Sequence, residues 1–430
     1  MPGEIFADVL VTGASQLLTL AAKNARPRTG TELLDLGIVA GGALAARNGR
    51  IVAAGRESDV RAAVRPTADC VHLDARGRVV MPGFVDCHTH LVFARYRLDE
   101  YEWRVAGTPY EEIAARGGGI AKSVADLRQT PEEALFSAAA ARLESAIRHG
   151  TTTIEIKSGY GLDLENELKQ LRVVRRLANR YPVTIVPTFL GAHAVAPERR
   201  QDRESYVLSV IDEMIPHVAR EGLAEFNDVF CEVGAFSREE TERILRAGQR
   251  AGLKARLHAD ELTDGGGAAL AAELGAVSAD HLKKISGEGI DRMAQAGVFG
   301  VLLPGTSFGL PSLDFAPARA MVAAGMRLAI ATDFNPGSST SESMPMMIAI
   351  ACSHMRLAPA EAIAMATWNP AFVLGREREV GSLEPGKRAD FIVLGAEDYR
   401  EVANHFGVNP VERVFVAGKP WPVPGNTAQG

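Results

Sequence analysis

The chain has 430 residues, 47% of them apolar and 23% charged, with 42 glycines and 22 prolines, a profile that excludes disordered, collagen-like and disulfide-stapled classes. At ~150 residues per domain this length holds two or three domains, or one large barrel with an accessory unit. The 47 basic and 53 acidic residues give a formal charge of −6 without a basic block, so no electrostatic footprint for nucleic acid or anionic membrane is present, and an anionic substrate has to be met by local arginines.

The first eighty residues read as β-rich. Asn48-Gly49 stands between two short apolar segments, a strong hairpin signal, and a second turn falls at Ala75 to Gly77. From there the texture changes to short apolar strands alternating with helical patterns. Eight strands are predicted: 83–87, 151–156, 183–188, 228–232, 254–258, 276–280, 298–303 and 328–332. Thr130 and Ser237, each with Glu three residues on, predict helix N-caps, and Gly150 a helix end. The C-terminal end returns to strands at 389–394 and 411–417, followed by a turn at Gly418. This order predicts an α/β chain: a (β/α)8 TIM-type barrel over 81–375 with a small composite β-sandwich built from both termini, 1–80 and 376–430.

The four cysteines are scattered without a Cys-x-x-Cys pair, which predicts buried thiols rather than a thiolate metal site. No apolar run reaches the ~18 residues that span a bilayer, and Met1 to Asp8 has no secretory pattern, so the expected location is the cytoplasm.

Barrel enzymes gather their chemistry at the C-terminal strand ends. Cys87-His-Thr-His90 ends the first strand, and alternation in an extended segment points His88 and His90 the same way. His258, His281 and Asp333 follow the fifth, sixth and eighth strands. Any one of these reads equally well as a hydrogen-bonded histidine or a capping aspartate. Together His88, His90, His258 and Asp333 offer three nitrogens and a carboxylate to one ion at the barrel axis. Without a thiolate, zinc and iron both fit; an ion there acidifies water toward a pKa of ~7 and supplies a nucleophile at neutral pH.

These residues, with Pro82 to His90 and the two-ended β unit, resemble the amidohydrolase superfamily. Longer stretches narrow the likeness to its imidazolonepropionase family: Cys87 to Ala94, Gly117 to Ile120, Glu155 to Asp163, Thr188 to His193, His258 to Leu262 and Ala331 to Gly337. The likeness runs from about residue 40 to 420. It implies hydrolysis of 4-imidazolone-5-propanoate to N-formimino-L-glutamate, a step of histidine degradation, with one divalent or trivalent ion per subunit. It further implies catalytic roles for Glu261, His281 and Asp333, and substrate contacts from Arg97, Tyr160, His193, Glu261, Asn335, Gly337 and Ser338. Ser338 departs mildly from the threonine of relatives but keeps the hydroxyl. His281 is by the family pattern no tight ligand, and either polarises a carbonyl or shuttles a proton.

The propionate calls for an arginine fork. Arg97 matches the family's substrate arginine, and Arg95 is its rival. Two-metal members of the superfamily bridge their ions with a carboxylated lysine on the fourth strand. Here 228–232 holds no lysine, and Lys157, on the second strand, reads as a salt-bridge partner; one metal is therefore expected. The runs 117–119 and 265–267 lack the spacing of a phosphate loop and read as hinges or close backbone approaches. His72, His149, His217, His354 and His405 lie away from the strand ends. The partner is a small molecule, with no nucleic acid and no membrane, and the sequence admits a homodimer. A deaminase or cyclic imidase of the same superfamily is the nearest alternative, separated by ammonia release in the deaminase. A catalytically silent scaffold is the other; its usual mark is lost ligands, and all four stand here.

Overall fold

The computed structural model describes residues 4–22, 24–108, 112, 118–310 and 314–422. Five strands open the chain: β1 (Ile5–Leu18), β2 (Ile38–Arg47), β3 (Arg50–Arg56), β4 (Val64–Asp74) and β5 (Val79–Pro82). Eight more follow: β6 (Phe84–Asp86), β7 (Thr151–Lys157), β8 (Thr184–Ala192), β9 (Phe226–Cys231), β10 (Lys254–Ala259), β11 (Ser278–His281), β12 (Phe299–Leu302) and β13 (Arg327–Ile330). Three close it: β14 (Phe391–Leu394), β15 (Val411–Val416) and β16 (Lys419–Pro420). The polypeptide divides into two compact units, one of Met1–Cys87, Glu144–Thr153 and Ser343–Gly430, the other of His88–Leu143 and Ile154–Glu342.

The composite β unit is one continuous sheet in the order β16-β15-β14-β5-β1-β2-β3, with β4 also on β1. The reason is the length of β1, 14 residues with a register shift between Val11 and Ala14. It pairs with β2 on one side, while β4 and β5 succeed one another on the other. The sheet surrounds a core that includes Val9, Leu17, Leu44, Ile51, Val80, Phe391 and Phe415, in which the last two rings stack at 4.4 Å. The β2–β3 hairpin turns at Asn48 and Gly49, with φ of +51° and +78°. Two left-handed residues in succession match the strand twist, which is why Asn-Gly serves there.

The second sheet runs β6 to β13 in strict chain order, all eight strands lying where the alternating pattern puts them. Its strands pair in parallel register, for example Lys254 beside Phe226 and His258 beside Asp280. A parallel bridge between Thr89 and Phe334, just past β6 and β13, brings the first and last strands together. The Asp333 N–H donates to the His88 carbonyl at 3.0 Å and the His90 N–H to the Phe334 carbonyl at 2.8 Å. The result is a (β/α)8 barrel.

Ser237 caps its helix as expected, accepting from the Glu240 N–H while the Glu240 carboxylate takes the Ser237 N–H. The Thr130 hydroxyl instead donates back to the Asp126 carbonyl at 2.6 Å and ends the preceding helix. Gly150 has φ +94° and closes its helix. None of the four cysteines is in a disulfide; Cys87 and Cys231 are buried, whereas Cys70 and Cys352 are only partly so. Among the described residues no helix is long and apolar enough to cross a membrane.

Candidate active site

His88 and His90 follow β6, His258 lies near the end of β10, His281 ends β11, and Asp333 follows β13. All five are at most 4% exposed. At His281 and Asp333 the backbone turns left-handed, with φ of +77° and +50°. Such residues leave a strand abruptly at a local cost in strain. Asp333 Oδ1 lies 3.4 Å from Nε2 of both His88 and His90, and His90 Nε2 lies 3.4 Å from His258 Nε2. His88 also groups with His258 and His281, with one nitrogen of each within 4.8 Å of the others.

The rings are aimed from behind. His88 Nδ1 meets Asp280 Oδ2 at 2.6 Å, and His258 Nδ1 meets Asp228 Oδ1 at 3.1 Å. A carboxylate on Nδ1 fixes the tautomer that offers Nε2 as a lone pair, the usual arrangement behind a metal-ligating histidine. His88 Nε2 is buried without a hydrogen-bond partner, which an ion at this point would supply.

A closed lattice of buried charge supports these carboxylates. Lys157 Nζ sits 2.8 Å from both Glu155 and Asp228. Arg256 reaches Asp280 at 2.8 Å and Glu155 at 3.5 Å. Burial opposes ionisation of Asp228 and Asp280, yet His258 and Lys157 for the first, and Arg256 and His88 for the second, outweigh it and hold both carboxyls below the usual range. Burial likewise opposes Asp333, but His88 and His90 keep it ionised. Burial pulls His90 and His281 down to about 4, so both stay neutral. Four buried carboxylates (Glu155, Asp228, Asp280, Asp333) thus face two buried cations (Lys157, Arg256). Burial and Lys157 oppose protonation of His88, yet Asp280 and Asp333 outweigh them and hold its pKa above the ordinary value; the carboxylates thus draw positive charge to this centre, which a divalent ion would supply. The donor set and this charge fit a divalent metal, and Lys157, held between two carboxylates, is spent as a salt-bridge partner.

Beside His90, His258 and Asp333 opens a cavity lined also by Arg97, Ile120, Tyr160, His193, Glu261 and Asn335, among others. Arg97, half-buried at the start of helix Leu98–Val105, lines it; Arg95 is exposed and does not. Tyr160 and His193 form an aromatic wall, His193 stacking on His90 at 5.1 Å and donating from Nδ1 to the Gly159 carbonyl, 3.0 Å away. Glu261 Oε1 lies 3.6 Å from His281 Nδ1 and 3.3 Å from Lys283 Nζ. Asn335 accepts the N–H groups of Gly337 and Ser338 at 2.9 and 2.8 Å, shaping the loop behind Asp333. Ser338 lines the cavity, whereas Gly337 lies against Arg97: a Cβ there would come within 1.6 Å of Arg97 Nη2. Of the glycine runs, Gly117 lies outside the described residues, while Gly267 makes a close approach, its N–H 3.0 Å from Asp260 Oδ1.

The sequence reading missed Glu155, Asp228, Arg256 and Asp280 as the support of the ligands. It also missed Thr306, whose hydroxyl donates to Asp333 Oδ2, and Glu232, whose Oε2 accepts the N–H groups of Glu261 and Leu262 at 3.0 and 2.8 Å. A signal existed for the first group: ionisable residues at inward positions of strands that are otherwise apolar.

The profile of the Amidohydrolase family matches residues 79–421. An imidazolonepropionase of Geobacillus kaustophilus is 49% identical over 412 residues, covering 96% of this chain and 97% of that protein. One of Symbiobacterium thermophilum is 49% identical over 413 residues, covering 96% of each. Among solved structures, an adenosine deaminase from Xanthomonas campestris with bound zinc superposes with TM-score 0.71 at 20% identity, over 97% of this chain and 93% of that one. The guanine deaminase of E. coli gives TM-score 0.71 at 16% identity, over 96% and 99%; these two likenesses carry the fold alone. By the family profile over most of its length and its near full-length relatives, the chain belongs to the amidohydrolase family, among the imidazolonepropionases.

Proposed function

We propose that this chain hydrolyses the ring amide C–N bond of 4-imidazolone-5-propanoate, giving N-formimino-L-glutamate, with one zinc or iron ion per subunit held by His88, His90, His258 and Asp333. The observation that carries the reading is the convergence of four buried donor groups, two of the rings aimed by carboxylates, beside a cavity that ends in Arg97. When bound, a divalent ion supplies Lewis acidity toward water and carbonyl oxygen.

The remaining chemistry falls to side chains. Arg97 holds the propionate as a charge-assisted fork, which orients the ring over the ligands. Tyr160 and His193 wall the ring and exclude water, while Asn335 and Ser338 shape the far side. Neutral His281 hydrogen-bonds the carbonyl oxygen as negative charge grows on it. Asp333 takes the proton lost by the attacking water and returns it to the departing ring nitrogen, so that one water is consumed and one C–N bond broken. Glu261 accepts from a ring N–H and is itself held by Lys283. We assign the catalytic barrel to 81–375, with 1–80 and 376–430 forming the β unit, and place the protein in the cytoplasm.

The test is loss of imidazolone absorbance with purified enzyme, alongside metal analysis of the same sample and an ammonia assay. Turnover without ammonia, with one ion per chain, is expected. Asp333→Ala should abolish both the stoichiometric metal and the turnover; normal activity in a metal-free Asp333→Ala sample would refute the mechanism.

A further inference from the structure

Behind Arg97 stands a charged unit without a role so far, and the inference drawn from it rests on Arg97 as the substrate's carboxylate partner. Arg97, Glu100 and Arg104 follow one another along one face of helix Leu98–Val105, at spacings of three and four that make neighbours on a helix. Arg97 Nε lies 3.3 Å from Glu100 Oε2, and Arg104 Nη1 lies 3.5 Å from Glu100 Oε1. Glu100 Oε2 also accepts the Gly119 N–H at 2.8 Å, and Arg104 Nη2 donates to the Gly337 carbonyl at 3.1 Å. The space that Gly337 leaves empty is filled by the Arg97 guanidinium.

All three side chains are largely shut off from water, with exposures of 12, 10 and 14%. Two cations therefore share one carboxylate and keep a single positive charge in a place of low dielectric, which favours a monoanion as the third partner. We propose that Arg104 is a positioning residue: by engaging Glu100 and the Gly337 carbonyl it stops Glu100 from neutralising Arg97, and so keeps Arg97 available to the carboxylate of the substrate. Without Arg104 the countercharge left to Glu100 among the described residues is Arg97, the unit becomes neutral, and the substrate has to compete with an internal carboxylate.

The test is steady-state kinetics on the holoenzyme with the substrate and with its neutral propionamide analogue. Arg104→Met is expected to raise KM for the substrate about tenfold with kcat within about twofold, as loss of uniform binding does. Arg104→Lys, which keeps the charge, should hold KM within about threefold. In a Glu100→Gln background Arg104→Met should change KM by less than about twofold, because the competitor is gone, and with the propionamide it should change nothing. Equal KM effects in both backgrounds, or on both substrates, or a loss in Arg104→Lys as large as in Arg104→Met, would overturn the proposal. An Arg97→Met variant with unchanged KM would instead sink the reading on which it rests.

Discussion

Arg97 shows how one side chain is selected from two. Both Arg95 and Arg97 follow the His-x-His segment, but Arg95 is exposed while Arg97 is drawn inward by its N–H donating to the Pro336 carbonyl at 2.9 Å and by the gap at Gly337. A hydrogen bond to a charged group contributes about 1.5–3 kcal/mol, so Arg97→Met should raise KM roughly 10- to 100-fold with a smaller change in kcat. Unchanged kinetics would move the carboxylate contact elsewhere. The cluster of candidate ligands was legible because His-x-His and lone polar residues at apolar strand ends stand out against their surroundings. The purpose of Gly337 was not: its value is the volume it leaves for the side chain of Arg97, 240 positions earlier in the sequence, and only the folded chain reveals that closeness.

At the scale of elements, the segment after β10 is tied down by two acids. Glu232, from the loop after β9, accepts the N–H groups of Glu261 and Leu262 and the Thr263 hydroxyl. Asp260, left-handed at φ +50°, accepts the N–H groups of Gly267 and Ala268 at 3.0 and 3.1 Å. Glu232→Ala removes the acceptor of those part-buried donors and leaves them to water, at about 0.5–1.5 kcal/mol for each hydrogen bond lost. It should lower kcat and speed proteolysis within 260–267 while the barrel stays folded; wild-type kinetics and cleavage would show that Glu261 needs no such tether. Every barrel strand was readable from alternating texture, yet the cap at Thr130 was misread. A hydroxyl between two helices serves either one, and Thr130 serves the Asp126 carbonyl behind it.

For the molecule as a whole the buried lattice sets the acid limit. Asp228 and Asp280 have folded pKa values below those of an unfolded chain, held there against burial by cations and imidazoles. Their stabilisation is therefore fully present above pH ~4, the ordinary carboxylate range, and is lost as pH falls toward the depressed folded values, because the unfolded chain then binds protons first. The melting temperature should hold steady down to about pH 5 and drop steeply below ~4; a flat profile to pH 3 would contradict the lattice. This lattice was the least legible part of the sequence. A lysine or arginine inside a strand reads as a solvated edge until its partners on neighbouring strands are known, and Lys157, Arg256 and their acids come from four different strands. The bridge between Thr89 and Phe334 has a further result. His88, His90 and Asp333 flank the seam where the barrel closes, so a cation held by them, as proposed, would rivet the earliest strand of the ring to the last one made. A nascent chain stalled short of Asp333 would have only part of the clasp.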